Sequence, residues 1–279
     1  MLLFANVMNA NERVKQRKTG AVSTFIENLQ EAGRITFDAS ELVNTTGLSV
    51  IAAKNQLQRL QGHVARVSRH HAFFLIVEPQ YRPIGSPPVE WWIDAYFRWL
   101  GHPYYLALQS AAELYNSSPQ AILVKQIITD SPRRDISIGR TRIRFFVKRG
   151  VAQTPVKQPP NAYAPLRVSS PEATALDIIR YASRIGGMGR ALETIMPLVP
   201  LFRTSGIKSA LNTEGKAAIA QRLGYLMETA GQKQVAEIIH QWLPSRIVRV
   251  PLETSQQVLT ETAASRRWRL LVSEGDTQP

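Results

Sequence analysis

Between residues 37 and 77, the spacing of apolar and polar positions predicts two short helices followed by a β-hairpin. The first helix covers residues 39–44, and Gly47 in the following turn can adopt the left-handed conformation that a tight connection needs. The second helix covers residues 49–60 and begins at a serine that can cap its free N–H groups. Ala53, Leu57 and Leu60 recur at the spacing of a core-facing stripe.

The outward face of this second helix carries amides, a lysine and small apolar groups without a carboxylate. Its residues are Val50, Ile51, Lys54, Asn55 and Gln58, and Ser49 and Arg59 complete the candidate binding residues of this helix. The strands that follow, residues 64–67 and 73–77, are joined by a tip without an acid, and the tip region contributes Arg66, Arg69, His70 and His71. A helix at residues 21–32 and a strand at residues 34–37 precede them.

This order is typical of a winged helix-turn-helix that binds DNA. The alternative is an ordinary small helical domain with a glycine between two amphipathic helices. In the DNA-binding interpretation, Asn55 and Gln58 pair with adenine edges, and Val50 and Ile51 meet thymine methyl groups. The basic side chains are expected to contact the phosphates, and they are Lys54, Arg59, Arg66 and Arg69.

Four prolines between residues 79 and 88 predict a linker, because such a stretch supports neither helix nor ladder hydrogen bonds. The predicted domains are therefore residues 1–82, with a basic arm at residues 9–20, and residues 83–279. The overall class is α+β, a winged helix followed by a larger mixed α/β domain.

In the second domain, the aromatic stretch at residues 91–100 predicts a helix that docks into a core. Further elements are a helix at residues 104–115, a strand at 121–129, and a helix that begins at Ser170. Asp177 on that helix lies among apolar residues, and we expect it to be buried and paired with an arginine. The later predicted elements are helices at 213–229, 232–242 and 255–265 and strands at 246–252 and 268–272.

Residues 138–148 alternate with period two. Ile143, Phe145 and Val147 fall on one strand face, and the other face carries Arg140, Arg142, Arg144 and Lys148. With Arg133 and Arg134 nearby, this face suggests a second-domain surface for a polyanion such as nucleic acid. An ordinary solvated strand face is the alternative.

Composition narrows the classes of function. The 279 residues carry a net charge of +13, and the excess is spread along the chain. The absence of cysteine excludes disulfides, thiolate zinc sites and a cysteine nucleophile. No apolar run approaches the length that a bilayer requires, so we expect a cytoplasmic protein.

No catalytic constellation emerges from the sequence. The histidines lack zinc-site spacing, and no glycine-rich phosphate loop follows a strand. Glu113, Asp130 and Asp135 are weak candidates for holding Mg²⁺, because each lies near a predicted strand end. We therefore predict no enzymatic activity, metal or cofactor, and keep a nucleic-acid-processing C-terminal domain as an alternative.

Several segments resemble the AbiEi-type antitoxin family, and the resemblance covers most of the chain from Thr19 onward. Its most specific parts are Ser-Pro-Glu-Ala-Thr-Ala-Leu-Asp at residues 170–177 and Gln-Arg-Leu-Gly-Tyr-Leu-Met-Glu at 221–228. Residues 99–112, 138–145 and 268–271 also fit. Leu106, where the family often has glycine, and residues 115–117, where it has a histidine-containing segment, depart from the pattern.

The resemblance implies an antitoxin of a type IV toxin–antitoxin and abortive-infection (phage-defence) system. Such a protein represses transcription from its own promoter by binding inverted repeats through the winged helix. Its C-terminal domain counteracts a nucleotidyltransferase toxin, generally without a stable complex. A winged-helix repressor whose second domain binds a ligand or protein remains the alternative.

Overall fold

The computed structural model describes residues 20–117, 123–160, 162–253, 259–260 and 262–273. Apart from Gly20, the predicted basic arm lies outside these residues, as do residues 255–258 and 261 of the predicted helix at 255–265. Within that span Leu259–Thr260 form a strand, so the prediction of one continuous helix is wrong there. The mixture of helices and strands confirms the predicted α+β class. In the described part of the chain, no helix combines the length and the apolar character needed to cross a membrane.

The helices and strands of the described residues follow one another as α1 (Ala21–Glu31), β1 (Thr36–Asp38), α2 (Ala39–Thr46), α3 (Val50–Arg59), β2 (Val64–Ser68), β3 (His71–Ile76), α4 (Ile93–Leu100), β4 (Tyr104–Leu106), α5 (Leu108–Leu114), β5 (Val124–Thr129), β6 (Ile136–Ile138), β7 (Thr141–Val147), β8 (Val156–Lys157), β9 (Val168–Ser169), α6 (Pro171–Arg180), α7 (Ala182–Ile185), α8 (Gly187–Ile195), α9 (Thr204–Glu214), α10 (Ala217–Thr229), α11 (Lys233–Trp242), β10 (Val250–Pro251), β11 (Leu259–Thr260), α12 (Ala263–Arg267) and β12 (Leu270–Ser273).

The chain forms two compact units. The first contains the residues up to Trp99 together with Ile136–Arg142, and the second contains Leu100–Asp135 and the chain from Ile143 onward. The first boundary between the two units therefore follows Trp99, whereas the sequence predicted a domain boundary after residue 82.

Helices α1 to α3 and a three-stranded sheet build the start of the first unit. The sheet has the order β1-β3-β2, and both pairings are antiparallel. Phe25, Phe37 and Leu42 lie in the core between these elements. The element order that the sequence predicted for residues 21–77 is therefore present.

Local chemistry explains where α2 and α3 begin and end. The Asp38 carboxylate accepts the backbone N–H groups of Ser40 and Glu41 at 2.7 and 3.0 Å, which starts α2. Gly47 ends α2 in the left-handed conformation, with φ of 64°. Ser49 Oγ then accepts the N–H of Ala52 at 3.2 Å and caps α3. The predicted roles of Gly47 and Ser49 are confirmed.

The segment predicted as a linker is a folded part of the first unit. Pro79–Tyr81 and Val89–Trp91 form short 3₁₀ turns. Between them, Ser86 is buried and its hydroxyl lies 2.6 Å from that of Thr141. Prolines remove backbone donors that would otherwise need partners, so such a segment can pack without a sheet or a helix.

A central sheet and a set of helices form the second unit. Its strands run in the order β7-β5-β4-β9-β8, with β4 antiparallel to β5 and parallel to β9. Residues 104–106, predicted as helical, form the buried strand β4, because Tyr-Tyr-Leu favours a strand covered on both faces. Helix α6 is buried along most of its length, and a smaller sheet has the order β10-β12-β11.

Candidate nucleic-acid interface

Helix α3 presents all of its predicted DNA-contacting side chains to solvent. Ala53 faces the core with 3% exposure, whereas Val50 and Ile51 are 69% and 74% exposed. The exposed set on and before α3 is Ser49, Val50, Ile51, Lys54, Asn55, Gln58 and Arg59. The structure therefore brings these seven residues together on one open face.

The surroundings of α3 are basic. From Leu42 to Val77 the chain contains no aspartate or glutamate. The nearest carboxylates before this segment are already engaged, because Asp38 caps α2 and Glu41 pairs with Arg34 at 2.6 Å. Within residues 42–77, no carboxylate therefore offsets the positive charge of the lysine and arginines around α3.

The β2–β3 hairpin is tighter than the sequence predicted, with Arg69 and His70 as its turn. Arg66, Arg69 and His70 are exposed, and the Arg66 Nε donates to the backbone oxygen of His71 at 3.0 Å.

His71 itself does not belong to the open tip. Its Nδ1 lies 2.6 Å from the Tyr96 hydroxyl, and its ring packs edge-on against Trp99. The predicted position of His71 at an exposed hairpin tip is therefore wrong, because the ring is half-buried against aromatic residues contributed by α4. Sequence periodicity predicted that α4 packs into a core but not that it would contact His71.

The predicted basic face of residues 140–148 is only partly present. Arg142 and Arg144 are exposed and Ile143 is buried, as period two requires. Phe145 and Phe146 are then both buried, which reverses the phase of the alternation. Val147 is 40% exposed and Lys148 is 4% exposed, which is the reverse of the burial that the predicted alternation gives these two residues.

Lys148 belongs to a buried charge cluster of the second unit. Its Nζ lies 2.8 Å from Asp177 Oδ1 and 3.3 Å from Glu214 Oε2. Arg180 also pairs with Glu214, and the Tyr105 hydroxyl donates to Asp177 Oδ2 at 2.8 Å. Asp177 is thus buried as predicted, but its cationic partner is a lysine and not an arginine.

The cluster balances two carboxylates against two cations, which permits its burial. Burial, together with the nearby Asp177 carboxylate, raises the pKa of Tyr105 well above its ordinary value, so that its hydroxyl remains a donor. This arrangement positions α6 and α9 and offers no open surface to a polyanion. Lys148 is therefore removed from the predicted basic surface.

The remaining residues of that surface are divided between the units. Arg140 and Arg142 lie in the first unit. Arg133, half-buried, and the exposed Arg134 lie in the second. Arg144, also in the second unit, is exposed and lies 3.6 Å from Asp135.

The weak Mg²⁺ candidates do not form one site, since each contacts a different basic side chain. Glu113 pairs with Lys125, Asp130 with His102, and Asp135 with Arg144. Within the described residues, no three His, Asp or Glu side chains are grouped as metal ligands.

The two most specific sequence segments of the antitoxin resemblance have structural roles. Ser170 caps α6, and the buried carboxylate of Glu172 accepts the Arg203 N–H at 2.9 Å at the start of α9. Gly224 lies against Trp268, where a Cβ on the glycine would approach the indole to 2.1 Å. Gln221, fully buried, donates to the Trp268 carbonyl at 2.8 Å. Periodicity alone did not single out Glu214 or Gln221.

The fold and these contacts describe a two-unit α+β protein with an open basic helix face in its first unit. Residues 105–229 match the family model of the AbiEi antitoxin C-terminal domain. The resemblance to AbiEi-type antitoxins is confirmed over this region, and the match supports a toxin–antitoxin role in general terms.

One solved structure with a similar fold is the RV2827C protein from Mycobacterium tuberculosis. It superposes with a TM-score of 0.62 at 13% sequence identity, covering 90% of this chain and 91% of that chain. At this identity the similarity concerns the fold alone. No curated protein sequence matches this chain significantly.

Proposed function

We propose that the first unit is a winged helix-turn-helix that binds double-stranded DNA through α3. The observation that carries the proposal is the open face of α3, where amides, cations and two aliphatic side chains stand exposed in a segment without a carboxylate. The element order from α1 to β3 supports it, since this arrangement presents the second helix of the turn to the major groove.

Each type of side chain on α3 has a partner in the groove. Asn55 and Gln58 carry amides that can pair in a bidentate manner with adenine. Val50 and Ile51 lie in the first turn of the helix, the part that approaches base edges in helix-turn-helix proteins. Lys54 is a point charge suited to phosphate oxygens, which position the protein without reading sequence.

We further propose that the protein is a DNA-binding antitoxin that represses its own promoter through inverted repeats. It counteracts a nucleotidyltransferase toxin without forming a stable complex and without catalytic activity of its own. The AbiEi domain at residues 105–229 supports the antitoxin part, and the α3 face supports the repressor part.

A gel-shift titration tests the DNA-binding part, with the promoter duplex and an unrelated duplex as ligands. Asn55→Ala should lose about 1–3 kcal/mol of discrimination between the two duplexes. Lys54→Ala is the matched control, because it lies one residue away on α3 and should weaken both duplexes alike. If neither substitution alters binding, α3 is not the recognition helix.

The antitoxin part is tested by co-expression with the proposed nucleotidyltransferase toxin. Growth should be restored by the full chain and by the Asn55→Ala variant, because rescue is assigned to the AbiEi domain. Loss of rescue by the folded Asn55→Ala variant would instead tie antitoxicity to DNA binding.

A further inference from the structure

A turn from far along the chain belongs to the first unit. Residues Ile136–Arg142 group with the residues up to Trp99. The Arg140 N–H donates to the backbone oxygen of Ile84 at 2.8 Å, and the Thr141 hydroxyl lies 2.6 Å from that of Ser86. Two hydrogen bonds on adjacent residues therefore tie the turn to the folded segment at residues 84–86.

The approach between the two segments is so close that it requires glycine on both sides. Gly85 and Gly139 both have positive φ, of 88° and 54°. A Cβ on Gly139 would lie 2.1 Å from the Ile84 oxygen, and one on Gly85 would lie 2.9 Å from the Gly139 Cα. No side chain fits between the two backbones, so the turn is held in a fixed position.

This fixed turn carries two exposed arginines, Arg140 and Arg142. The Arg142 Nη1 donates to the backbone oxygens of Gly139 and Thr141 at 2.6 and 2.9 Å, which orients its guanidinium without neutralising it. Among the described residues, neither arginine has an acidic partner. The turn also places β6 beside β2, the strand that carries Arg66.

Two other exposed arginines differ in this respect. Arg98 lies 2.8 Å from Asp94, and Arg144 lies 3.6 Å from Asp135. Arg140 and Arg142 therefore combine a fixed backbone position with a charge left uncompensated by the described residues. A guanidinium in this state matches the geometry of a phosphate, which it can bind in a bidentate manner.

We propose that the Ile136–Arg142 turn is a second DNA-contacting element of the first unit, in which Arg140 and Arg142 bind phosphates of the duplex that α3 reads. This inference rests on the DNA-binding function proposed above. In this proposal the two arginines bind the same DNA as α3, whereas the sequence placed them on a separate polyanion-binding surface of the second domain. Duplex DNA is favoured over RNA because the turn and α3 belong to one compact unit.

The salt dependence of binding by the full chain tests this assignment. The probe is a random-sequence DNA duplex of about three helical turns, because phosphate contacts do not depend on sequence. The Arg140→Gln/Arg142→Gln variant should lower the slope of log affinity against log salt by about 0.9 per lost contact, or about 1.8 in total. Between about 50 and about 200 mM salt, the wild-type protein should lose about tenfold more affinity than this variant.

The matched control is Arg98→Gln/Arg144→Gln, which removes two exposed arginines that already pair with aspartates. It should retain the wild-type slope, and Arg140→Lys/Arg142→Lys should retain it as well because it keeps both charges. Circular dichroism identifies any variant that fails to fold.

The assignment is overturned if the glutamine variant keeps the wild-type slope, if the control loses as much, or if the loss occurs only with a double-stranded RNA of equal length. If the wild-type protein binds no duplex at all, the proposed function itself fails.

Discussion

The ammonium group of Lys148 lies 2.8 Å from Oδ1 of Asp177, and both side chains are buried in the second unit. Glu214 and Arg180 complete the cluster, in which two carboxylates and two cations balance in charge and lie in direct contact. Lys148 thereby connects the end of β7 to α6 and α9. Its role is to join secondary-structure elements inside the region that matches the AbiEi C-terminal domain model.

Removing the charge of Lys148 should destabilise the protein. We expect Lys148→Met to lower the free energy of unfolding by about 3–5 kcal/mol, because it leaves a buried carboxylate without its cation. Arg144→Gln is the control, since it breaks an exposed pair with Asp135 and should cost less than about 1 kcal/mol. Denaturant titration of both variants measures the difference. Equal, small losses would show that the cluster is dispensable for stability.

Gly224 should be intolerant of any side chain. Its Cβ would lie 2.1 Å from Trp268, a fully buried indole, so Gly224→Ala should destabilise the protein by about 1–3 kcal/mol through overpacking. Gly189 is the matched control, because it lies in helix α8 with nothing within 4 Å of its Cβ position. Gly189→Ala should raise stability by about 0.4–1 kcal/mol. Thermal unfolding of the two variants should shift in opposite directions.

Features that depend on neighbouring residues could be predicted from the sequence, whereas contacts between residues far apart in the chain could not. Gly47 and Ser49 could be assigned from sequence because a turn and a cap depend on residues within a few positions. The burial of Asp177 was also predictable from its apolar neighbours. Its partner was not, because Lys148 lies 29 positions away along the chain.

The same distinction holds for the candidate interface. Helical periodicity predicted the open face of α3. The strand face at residues 140–148 was mispredicted after Arg144, since two consecutive phenylalanines are buried and reverse the alternation. Proline content could not show that residues 84–86 bind a turn more than fifty residues further along the chain.

Alkaline pH should weaken the fold through Tyr115. Burial raises the pKa of this phenol to about 12 from an ordinary value of 10.0, and its hydroxyl donates to the Ser169 oxygen at 2.8 Å. In the unfolded chain the phenol ionises near the ordinary value, so its contribution to stability is complete below that pH. The contribution is then lost as the pH rises toward about 12.

Unfolding titrations across this pH range measure the effect, and Tyr115→Phe should flatten the pH dependence even though it also removes a hydrogen bond. The comparison is between slopes and not between absolute stabilities. A Tyr115→Phe variant whose stability falls with pH as steeply as that of the wild-type protein would show that this phenol does not contribute.

The exposed pair Val50 and Ile51 should make DNA binding sensitive to thymine methyl groups. Both side chains lie in the first turn of α3, and apolar contact with the C5 methyl of thymine is the chemistry that they offer in a major groove. We expect the promoter duplex to bind more weakly when deoxyuridine replaces the thymines of its inverted repeats, because that change removes only the methyl groups.

The Ile51→Ala variant provides the matching half of this test. It should bind the thymine duplex more weakly than the wild-type protein, by about 0.8 kcal/mol for each buried methylene lost. It should also discriminate less between the thymine and deoxyuridine duplexes, since the partner of the methyl group is gone. Lys54→Ala should keep the wild-type discrimination while weakening both duplexes. If wild type and Ile51→Ala respond identically to deoxyuridine, Ile51 does not contact the thymine methyl groups.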